Sequence, residues 1–182
     1  MTILETKRTI LRPFAETDAA DLYAYAGDPR VGPAAGWKPH ESEEESLRII
    51  RTVFASPHEF AVVDRESGRV IGSAGFTGRG CGDGFGASDE IGYVLSPEFW
   101  GRGIMPEVVA ELLRYGFAER KLDAVWCSLY AGNSRSRRVA EKSGFTYVFS
   151  EQLSDEWIED RLTYHYVYFR QEWERNRRAS NG

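Results

Sequence analysis

The spacing of the apolar residues switches between a helical and a strand-like period several times along the chain, and the order of these switches limits the possible folds. Two early helices are predicted, over Ala19–Tyr25 and from Ser42 to Phe54. Strands are predicted at 7–12, 60–64, 70–76, 90–95, 124–130, 145–149 and 162–169, and later helices at 106–120 and 133–142. This interleaving predicts a mixed sheet with helices, of the α/β (α+β) class.

Length and composition are those expected of one domain. The chain has 182 residues, of which 42% are hydrophobic, and it contains neither a repeat nor a linker. We therefore expect a single domain over 1–182, with a core at about 7–170 and a C-terminal helix or tail at 171–182. No apolar run approaches the ~20 residues that span a bilayer, and the N-terminus does not resemble a signal peptide. We expect a cytoplasmic protein without a membrane partner.

The charge and the metal-binding residue types argue against two other classes. A net charge of −5 does not favour nucleic-acid binding, which needs a basic surface. The three histidines, His40, His58 and His165, are scattered, so no metal site is predicted. The two cysteines, Cys81 and Cys127, are too few for a disulfide scaffold and are expected to be free thiols.

A glycine-rich turn precedes the predicted helix at 106–120. Gly101 and Gly103 flank Arg102, and Pro106 suits the first turn of a helix. A helix start has free N–H groups and a partial positive charge, and glycines allow an anion to approach the backbone closely. The turn therefore predicts a phosphate or pyrophosphate site, unless it is an ordinary tight loop.

Two other phosphate motifs do not explain the sequence. The pattern G-x-x-x-x-G-K-[ST] is absent. Gly82–Ala87 matches the dinucleotide form G-x-G-x-x-A, but a predicted strand follows it where that motif requires a helix. We interpret residues 78–88 as a flexible loop.

Three motifs in the right order resemble the GNAT superfamily of N-acetyltransferases. Asn133 to Phe145 is similar to the closing signature of the family, and Trp100 to Met105 resembles its acetyl-CoA pyrophosphate loop. The opening, Arg8 to Phe14 with the acidic residues after it, resembles the branch of ribosomal-protein Ser/Ala N-terminal acetyltransferases. The resemblance implies a mostly antiparallel central sheet of six to seven strands flanked by about four helices.

The resemblance also implies an activity. It is acetyl-CoA-dependent transfer of an acetyl group to a primary amine, on a protein N-terminus or a small molecule, by direct attack on the thioester. The partners are then acetyl-CoA and the acceptor, and the chain is a monomer or homodimer. Ala140 stands where many relatives carry a tyrosine that acts as general acid. The alternative is therefore a non-catalytic acyl-CoA-binding or sensing module on the same fold.

Carried over residue by residue, the resemblance implies a cofactor site. The backbone near Val94 and Leu95 meets the oxyanion and the thioester arm. The remaining predicted cofactor-binding residues are Trp100, Gly101, Arg102, Gly103, Ile104, Met105, Asn133, Ser136, Arg137 and Arg138. Met105 stands where the family has glycine or alanine, so its side chain is expected to point away from the phosphates. Asn133 either contacts the pantetheine arm or caps the helix.

Amine acylation needs a neutral nucleophile and a proton for the leaving thiolate. Glu90, at the start of the predicted strand 90–95, is the candidate general base, directly or through a water, and Asp89 is its rival. Ser136 is the candidate donor to the thiolate; it lies on one helix face with Asn133, the third predicted catalytic residue. Tyr130 and Tyr147 are alternative donors.

The acceptor side is less defined. Residues 37–40, which include Trp37 and His40, are candidates for a wall of the acceptor pocket, with Trp157 facing them. Packed surface aromatics are an equally good interpretation of each. The acidic stretch at 41–45 fits a helix start and is also suited to attracting a cationic acceptor.

Overall fold

The computed structural model describes residues 2–79, 85–155 and 158–180. The strands are β1 Leu4–Glu5, β2 Thr9–Arg12, β3 Glu59–Asp64, β4 Val70–Phe76, β5 Ser88–Leu95, β6 Ala124–Tyr130, β7 Thr146–Asp155 and β8 Ile158–Phe169. The α-helices are α1 Ala19–Ala26, α2 Gly32–Ala35, α3 Glu43–Thr52, α4 Ile104–Arg114, α5 Ser134–Lys142 and α6 Arg170–Ser180. Cys81, Gly82 to Gly84 and Trp157, which the sequence analysis considered, lie outside the described residues.

The strands form one open sheet in the order β1-β2-β3-β4-β5-β6-β8-β7. All the neighbouring pairs described are antiparallel except β5 and β6, which confirms the predicted mixed, mostly antiparallel sheet. Within the described ranges there are eight strands and six α-helices, more than the six to seven strands and about four helices predicted. The additions include β1, which has two residues, and the four-residue α2; both are too short for a periodic apolar pattern.

The helix boundaries follow from local chemistry. Ser42 caps α3, because its Oγ accepts a hydrogen bond from the Glu45 N–H at 3.2 Å. The Glu45 carboxylate accepts a hydrogen bond from the N–H of Glu41, the residue before the cap. The predicted helix at 106–120 begins earlier, at Ile104, and its last part, Tyr115–Glu119, is a π-helical turn.

The sheet is covered on both faces. Ile91, Leu95 and part of Tyr93 pack into a core with α4, whereas Val94 packs into a second core with α1 and α3. Successive side chains of β5 thus point to opposite faces of the sheet. Glu90 and Gly92 therefore lie on the same sheet face as Val94.

β5 and β6 separate partway along their length. They pair only from Ser88–Glu90 to Ala124–Trp126. Beyond that point β5 remains paired with β4 as far as Leu95, and β6 remains paired with β8 as far as Tyr130. The gap between the two strands, which we call the splay, opens in the middle of the sheet and exposes backbone groups there.

Candidate active site

A cavity of about 570 Å³ lies against the end of β5 that borders the splay. Its walls come from β5, the turn before α4, α5 and the segment around α2. The predicted cofactor residues among its lining are Val94, Leu95, Trp100, Gly101, Gly103, Ile104, Met105, Asn133, Ser136 and Arg138. The size suits a small-molecule ligand. Glu90, Arg102 and Arg137, which were also predicted as site residues, are not part of this lining.

The turn before α4 presents free backbone donors to the cavity. Gly101 and Gly103 have φ of 75° and 74°, the left-handed region that glycine adopts without strain. The N–H groups from Gly101 to Met105 donate to no acceptor among the described residues, and Gly103 provides no side-chain cap for the helix. Met105 is only 5% exposed and packs into the core, away from these donors. The arrangement fits an anion such as a pyrophosphate.

Cationic side chains surround the same cavity. Arg135 lies over the Trp100 ring at 4.0 Å, and Arg138 and Lys142 also line the wall. The guanidinium carbon of Arg102 lies 5.1 Å from the centre of the Phe99 ring, and Arg102 itself does not line the cavity. Their charge complements a polyphosphate ligand.

Arg137, next to Arg138 in sequence, points elsewhere. It forms an ion pair with Glu141 at 2.8 Å, one turn further along α5. The hydrogen bond to Glu141 is the main reason why the pKa of Arg137 is raised. Arg30, which the sequence analysis did not identify, lines the cavity instead.

Tyr93 bridges the splay. Its hydroxyl donates to the Ser136 carbonyl at 3.1 Å and lies 3.7 Å from the Cys127 sulfur. Burial raises the pKa of the Tyr93 phenol above its usual value and that of the Cys127 thiol to about 12, so both groups keep their protons at neutral pH. Tyr93 was not among the site residues predicted from the sequence; its hydroxyl, on a strand face shared with Ile91 and Leu95, was the available signal.

Asn133 joins two elements. Its Oδ1 accepts from the Ser136 N–H at 3.1 Å, which caps α5, and its Nδ2 donates to the Ala34 carbonyl of α2 at 3.0 Å. The cap is thus one of the two roles that the sequence left open for Asn133. The Ser136 side chain lies at the cavity wall beside it.

The pairing of β5 determines which backbone groups face the splay. The Ser96 N–H bonds to Ile71 and the Glu90 carbonyl accepts from Thr77, both on the β4 side. Because antiparallel pairing alternates, Val94 also turns its N–H to β4, whereas the N–H of Leu95 points into the splay. Of the two predicted oxyanion donors, Leu95 has the suitable direction.

The two neighbouring carboxylates at the start of β5 have different partners. Glu90 Oε1 accepts from the Ser128 N–H at 3.1 Å, at the point where β5 and β6 separate. Asp89 is buried; it pairs with Arg120 at 2.8 Å and accepts from the N–H groups of Gly78 and Glu90. Asp89 is therefore committed to holding the chain, and Glu90 lies at the reactive gap.

A third carboxylate lies on the same sheet face. Glu59 opposes Gly75, which in turn opposes Gly92. A Cβ added at Gly75 would lie 2.7 Å from Glu59 Oε2, so the carboxylate lies over this glycine of β4. The neighbouring strand, β5, is one strand spacing away from β4, about 4.8 Å. Burial, with the charge of Asp89, raises the pKa of Glu59 to about 7. A glutamate at the start of an apolar strand was the sequence signal for it.

A second cavity, of about 580 Å³, adjoins the first and shares Arg30, Ala34 and Asn133 with it. Tyr130 and Arg161 line it, with the guanidinium 5.1 Å from the ring centre. Residues 37–40, the predicted wall of the acceptor pocket, line neither cavity.

Residues 37–40 lie instead in the helical layer. Trp37 packs with the α1–α3 core, and His40 pairs with Ser46 at 2.8 Å. Tyr147 stacks edge-on against Tyr164 and Tyr166 and lines neither cavity.

Residues 2–79, 85–155 and 158–180 contain neither a cluster of metal-ligating side chains nor a membrane-spanning helix. Among those residues, no three His, Cys, Asp or Glu side chains are placed to share a metal ion. In the same part of the chain, no helix has the length and apolar character needed to cross a bilayer.

Comparison with known proteins gives consistent results. The family model of the acetyltransferase (GNAT) domain matches residues 8–146. An uncharacterised N-acetyltransferase of Bacillus subtilis, YoaA, is 30% identical over 148 residues, which are 79% of this chain and 82% of that protein.

Solved structures share the fold. A GNAT-family acetyltransferase from Bacillus anthracis superposes with a TM-score of 0.81 at 23% identity, over 93% of this chain and 99% of that one. Spermidine N-acetyltransferase from Vibrio cholerae, in complex with CoA and spermine, superposes with a TM-score of 0.74 at 16% identity, over 91% of this chain and 98% of that one. A putative ribosomal-protein-serine acetyltransferase from Vibrio cholerae and the ribosomal-protein-S5-alanine acetyltransferase from Vibrio fischeri also share the fold, with TM-scores of 0.76 and 0.71.

Proposed function

The chain belongs to the GNAT acetyltransferases, and we propose that it moves the acetyl group of acetyl-CoA to a primary amine by direct attack of the amine on the thioester. The observation that carries the proposal is the splay between β5 and β6. It opens beside a turn with free N–H donors on one side and beside Glu90 on the other. A thioester lying in the splay would meet both.

The cofactor is assigned to the cavity of about 570 Å³ beside the turn before α4. The N–H groups from Gly101 to Met105 would hold the pyrophosphate, with Arg135, Arg138 and Lys142 near the phosphates. The pantetheine arm would run along the splay, where the Leu95 N–H faces the thioester oxygen and stabilises the oxyanion. Asn133 and Ser136 form the wall beside it.

Glu90 is the proposed general base. An α-amine with a pKa of about 7.7–8.0 needs less help than a lysine at about 10.4. Because one oxygen of Glu90 is held by the Ser128 N–H, the carboxylate is fixed at the edge of the splay and can accept a proton directly or through a water.

The leaving thiolate needs a proton donor in the absence of a tyrosine at position 140, where Ala140 is buried in the core. We propose that Tyr93 shares this role with Ser136, since both line the cavity and the phenol stays protonated. A phenol is the more acidic of the two hydroxyls.

The acceptor approaches from the face that carries the carboxylates. Glu59 and Glu90 lie on this face, with the Gly75–Gly92 surface between them. Because burial raises the pKa of Glu59 to about 7, the negative charge on this face comes mainly from Glu90, and it favours an ammonium group over an anionic acceptor. Both a protein N-terminus and a small-molecule amine satisfy this requirement.

Thiol release from acetyl-CoA tests the proposal. The acceptors are peptides with free N-terminal Ser or Ala, N-blocked peptides with lysine, polyamines and aminoglycosides. We expect release with at least one class, abolished in Glu90→Gln and unchanged in Glu66→Gln, a control in the exposed β3–β4 turn. CoA binding without release from any acceptor would contradict the proposal and favour the acyl-CoA-sensing alternative.

A further inference from the structure

Three polar side chains on neighbouring strands form a chain that the proposed reaction has not used. Ser128 Oγ lies 2.9 Å from His165 Nδ1. His165 Nε2 lies 3.0 Å from Glu151 Oε1, an ion-pair distance without hydrogen-bond alignment. His165 is only 4% exposed, and its ring stacks on Phe149 at 4.4 Å. A histidine this buried is held in one orientation.

This chain starts at the splay. The residue that supplies its hydroxyl, Ser128, also donates its backbone N–H to Glu90. The register pairs Ser128 with His165 and His165 with Phe149, so the three lie in one row across the sheet. The row leads from the proposed base to Glu151, whose side chain is 48% exposed. The row therefore runs from the edge of the splay toward solvent.

The surroundings of His165 favour one tautomer. Among the described residues, the titratable groups along this chain are Glu151 at one end and Glu90 at the other. A carboxylate can only accept, so the neutral ring is best arranged with its proton on Nε2, toward Glu151. Nδ1 then has a free lone pair and accepts from the Ser128 hydroxyl. This is the orientation of a base that acts through a hydroxyl.

Amine acylation releases a proton that the base must pass on. We propose that Ser128 and His165 form a relay that takes this proton from Glu90, an inference that rests on the proposed function. As the C–N bond forms, the acceptor N–H proton passes to Glu90. Glu90 holds the Ser128 N–H rather than its hydroxyl, so the Glu90 proton then passes through one water molecule to Ser128 Oγ while the Ser128 hydroxyl proton passes to His165 Nδ1.

The relay restores the Glu90 carboxylate and leaves an imidazolium. Glu151 stabilises the positive ring from the Nε2 side, as a carboxylate does beside other catalytic histidines. After the product leaves, the proton returns through Ser128 to water in the emptied splay. His165 acts through Ser128 and is therefore a positioning and proton-holding residue that does not touch the acceptor.

The first test is independent of turnover. Nitrogen-15 NMR of the imidazole rings, assigned by comparison with His165→Gln, reports the tautomer of His165 directly. The relay predicts that the neutral form of the ring carries its proton on Nε2. A ring protonated at Nδ1 would overturn it, because the nitrogen facing Ser128 would then have no lone pair to offer.

The second test uses the pH dependence of kcat. Ser128→Ala and His165→Gln should each lower kcat on the order of 10²-fold, alter the acidic limb of the profile and leave the Kd for CoA unchanged. His58→Gln is the matched control, because His58 Nδ1 also faces a hydroxyl, that of Tyr115, at 3.1 Å. Ser128→Ala removes only a hydroxyl, so it stays informative if His165→Gln does not fold.

The outcomes separate the two proposals. If the wild-type chain transfers acetyl groups and Ser128→Ala keeps the wild-type kcat and pH profile, the relay is wrong and the proposed function stands. If the wild-type chain binds CoA and acetylates no amine, the proposed function fails, and the relay fails with it.

Discussion

The hydroxyl of Tyr93 donates a hydrogen bond to the carbonyl of Ser136 at 3.1 Å and thereby connects β5 to α5 across the splay. The two residues are far apart in sequence, and both line the cavity assigned to acetyl-CoA. The contact places a phenol that keeps its proton next to the expected path of the thioester. It leads to the first of four predictions.

Replacing Tyr93 with Phe should slow acetyl transfer more than replacing Ser136 with Ala. The phenol is the stronger acid, so its loss should lower kcat about tenfold. The lost hydrogen bond should cost about 1 kcal/mol of stability. Thiol-release kinetics and thermal unfolding of both variants test this. Equal kcat values for wild type and Tyr93→Phe would leave Ser136 as the proposed donor.

Replacing Glu90 with Gln should remove activity while preserving the fold. A glutamine oxygen can still accept from the Ser128 N–H, but an amide cannot take the proton of the amine. We expect kcat to fall by roughly 10² to 10⁴, with little change in melting temperature. The comparison is Asp89→Asn, which should mainly lower the melting temperature, because Asp89 holds Arg120 and two N–H groups. A near-normal rate in Glu90→Gln would exclude it as the base.

Neutralising Arg138 should weaken CoA binding, whereas neutralising its neighbour Arg137 should not. Arg138 lines the cavity, and Arg137 pairs with Glu141 outside it. We expect Arg138→Gln to raise the Kd several-fold at low salt, with the difference shrinking as added salt screens the charges. Calorimetric titration with CoA at two salt concentrations measures this. Equal Kd increases in the two variants would reject the distinction.

Glu59 should make stability fall as the pH rises. The pKa of Glu59 is about 7 in the folded chain, against 4.5 for an unperturbed glutamate. The folded state therefore binds the extra proton between those values, and stability is lost as the pH rises through this window. The shift corresponds to on the order of 3 kcal/mol. Glu59→Gln removes the titration.

Urea unfolding of the wild type and Glu59→Gln at pH 5 and pH 8 tests this prediction. The variant should gain stability relative to the wild type at the higher pH. A constant difference would show that Glu59 is not held in a protonated state. Glu66→Gln, in the exposed turn of the same hairpin, is the control.

The elements were predictable where local chemistry determines them. β6 has the predicted bounds, because its apolar run is bracketed by residues that end a strand. α5 begins after Asn133 as the capping pattern indicates. The turn before α4 was recognised because its glycines precede a helix start in the sequence itself. The lengths of β7 and β8 were underestimated, since the added parts contain exposed polar residues such as Glu151, Gln152 and Asp160 and show little apolar periodicity.

The parts of the site that were missed depend on register. Tyr93 meets Ser136, and Ser128 meets His165, through pairings between strands and helices remote in sequence, which local patterns do not specify. Adjacent arginines on a helix point about 100° apart, so sequence alone did not decide which one faces the cavity. Glu141, four residues after Arg137, was a usable signal for the pairing that turns Arg137 away.

The separation of β5 from β6 also divides the sheet mechanically. The five strands before the splay and the three after it are joined through three residue pairs, Ser88–Glu90 with Ala124–Trp126. Amides that point into the gap, such as that of Leu95, lack a strand partner in the middle of the sheet and should exchange with deuterium faster than their neighbours. A bound pantetheine would act as a substitute strand for them, so the cofactor would complete the sheet as well as deliver the acetyl group.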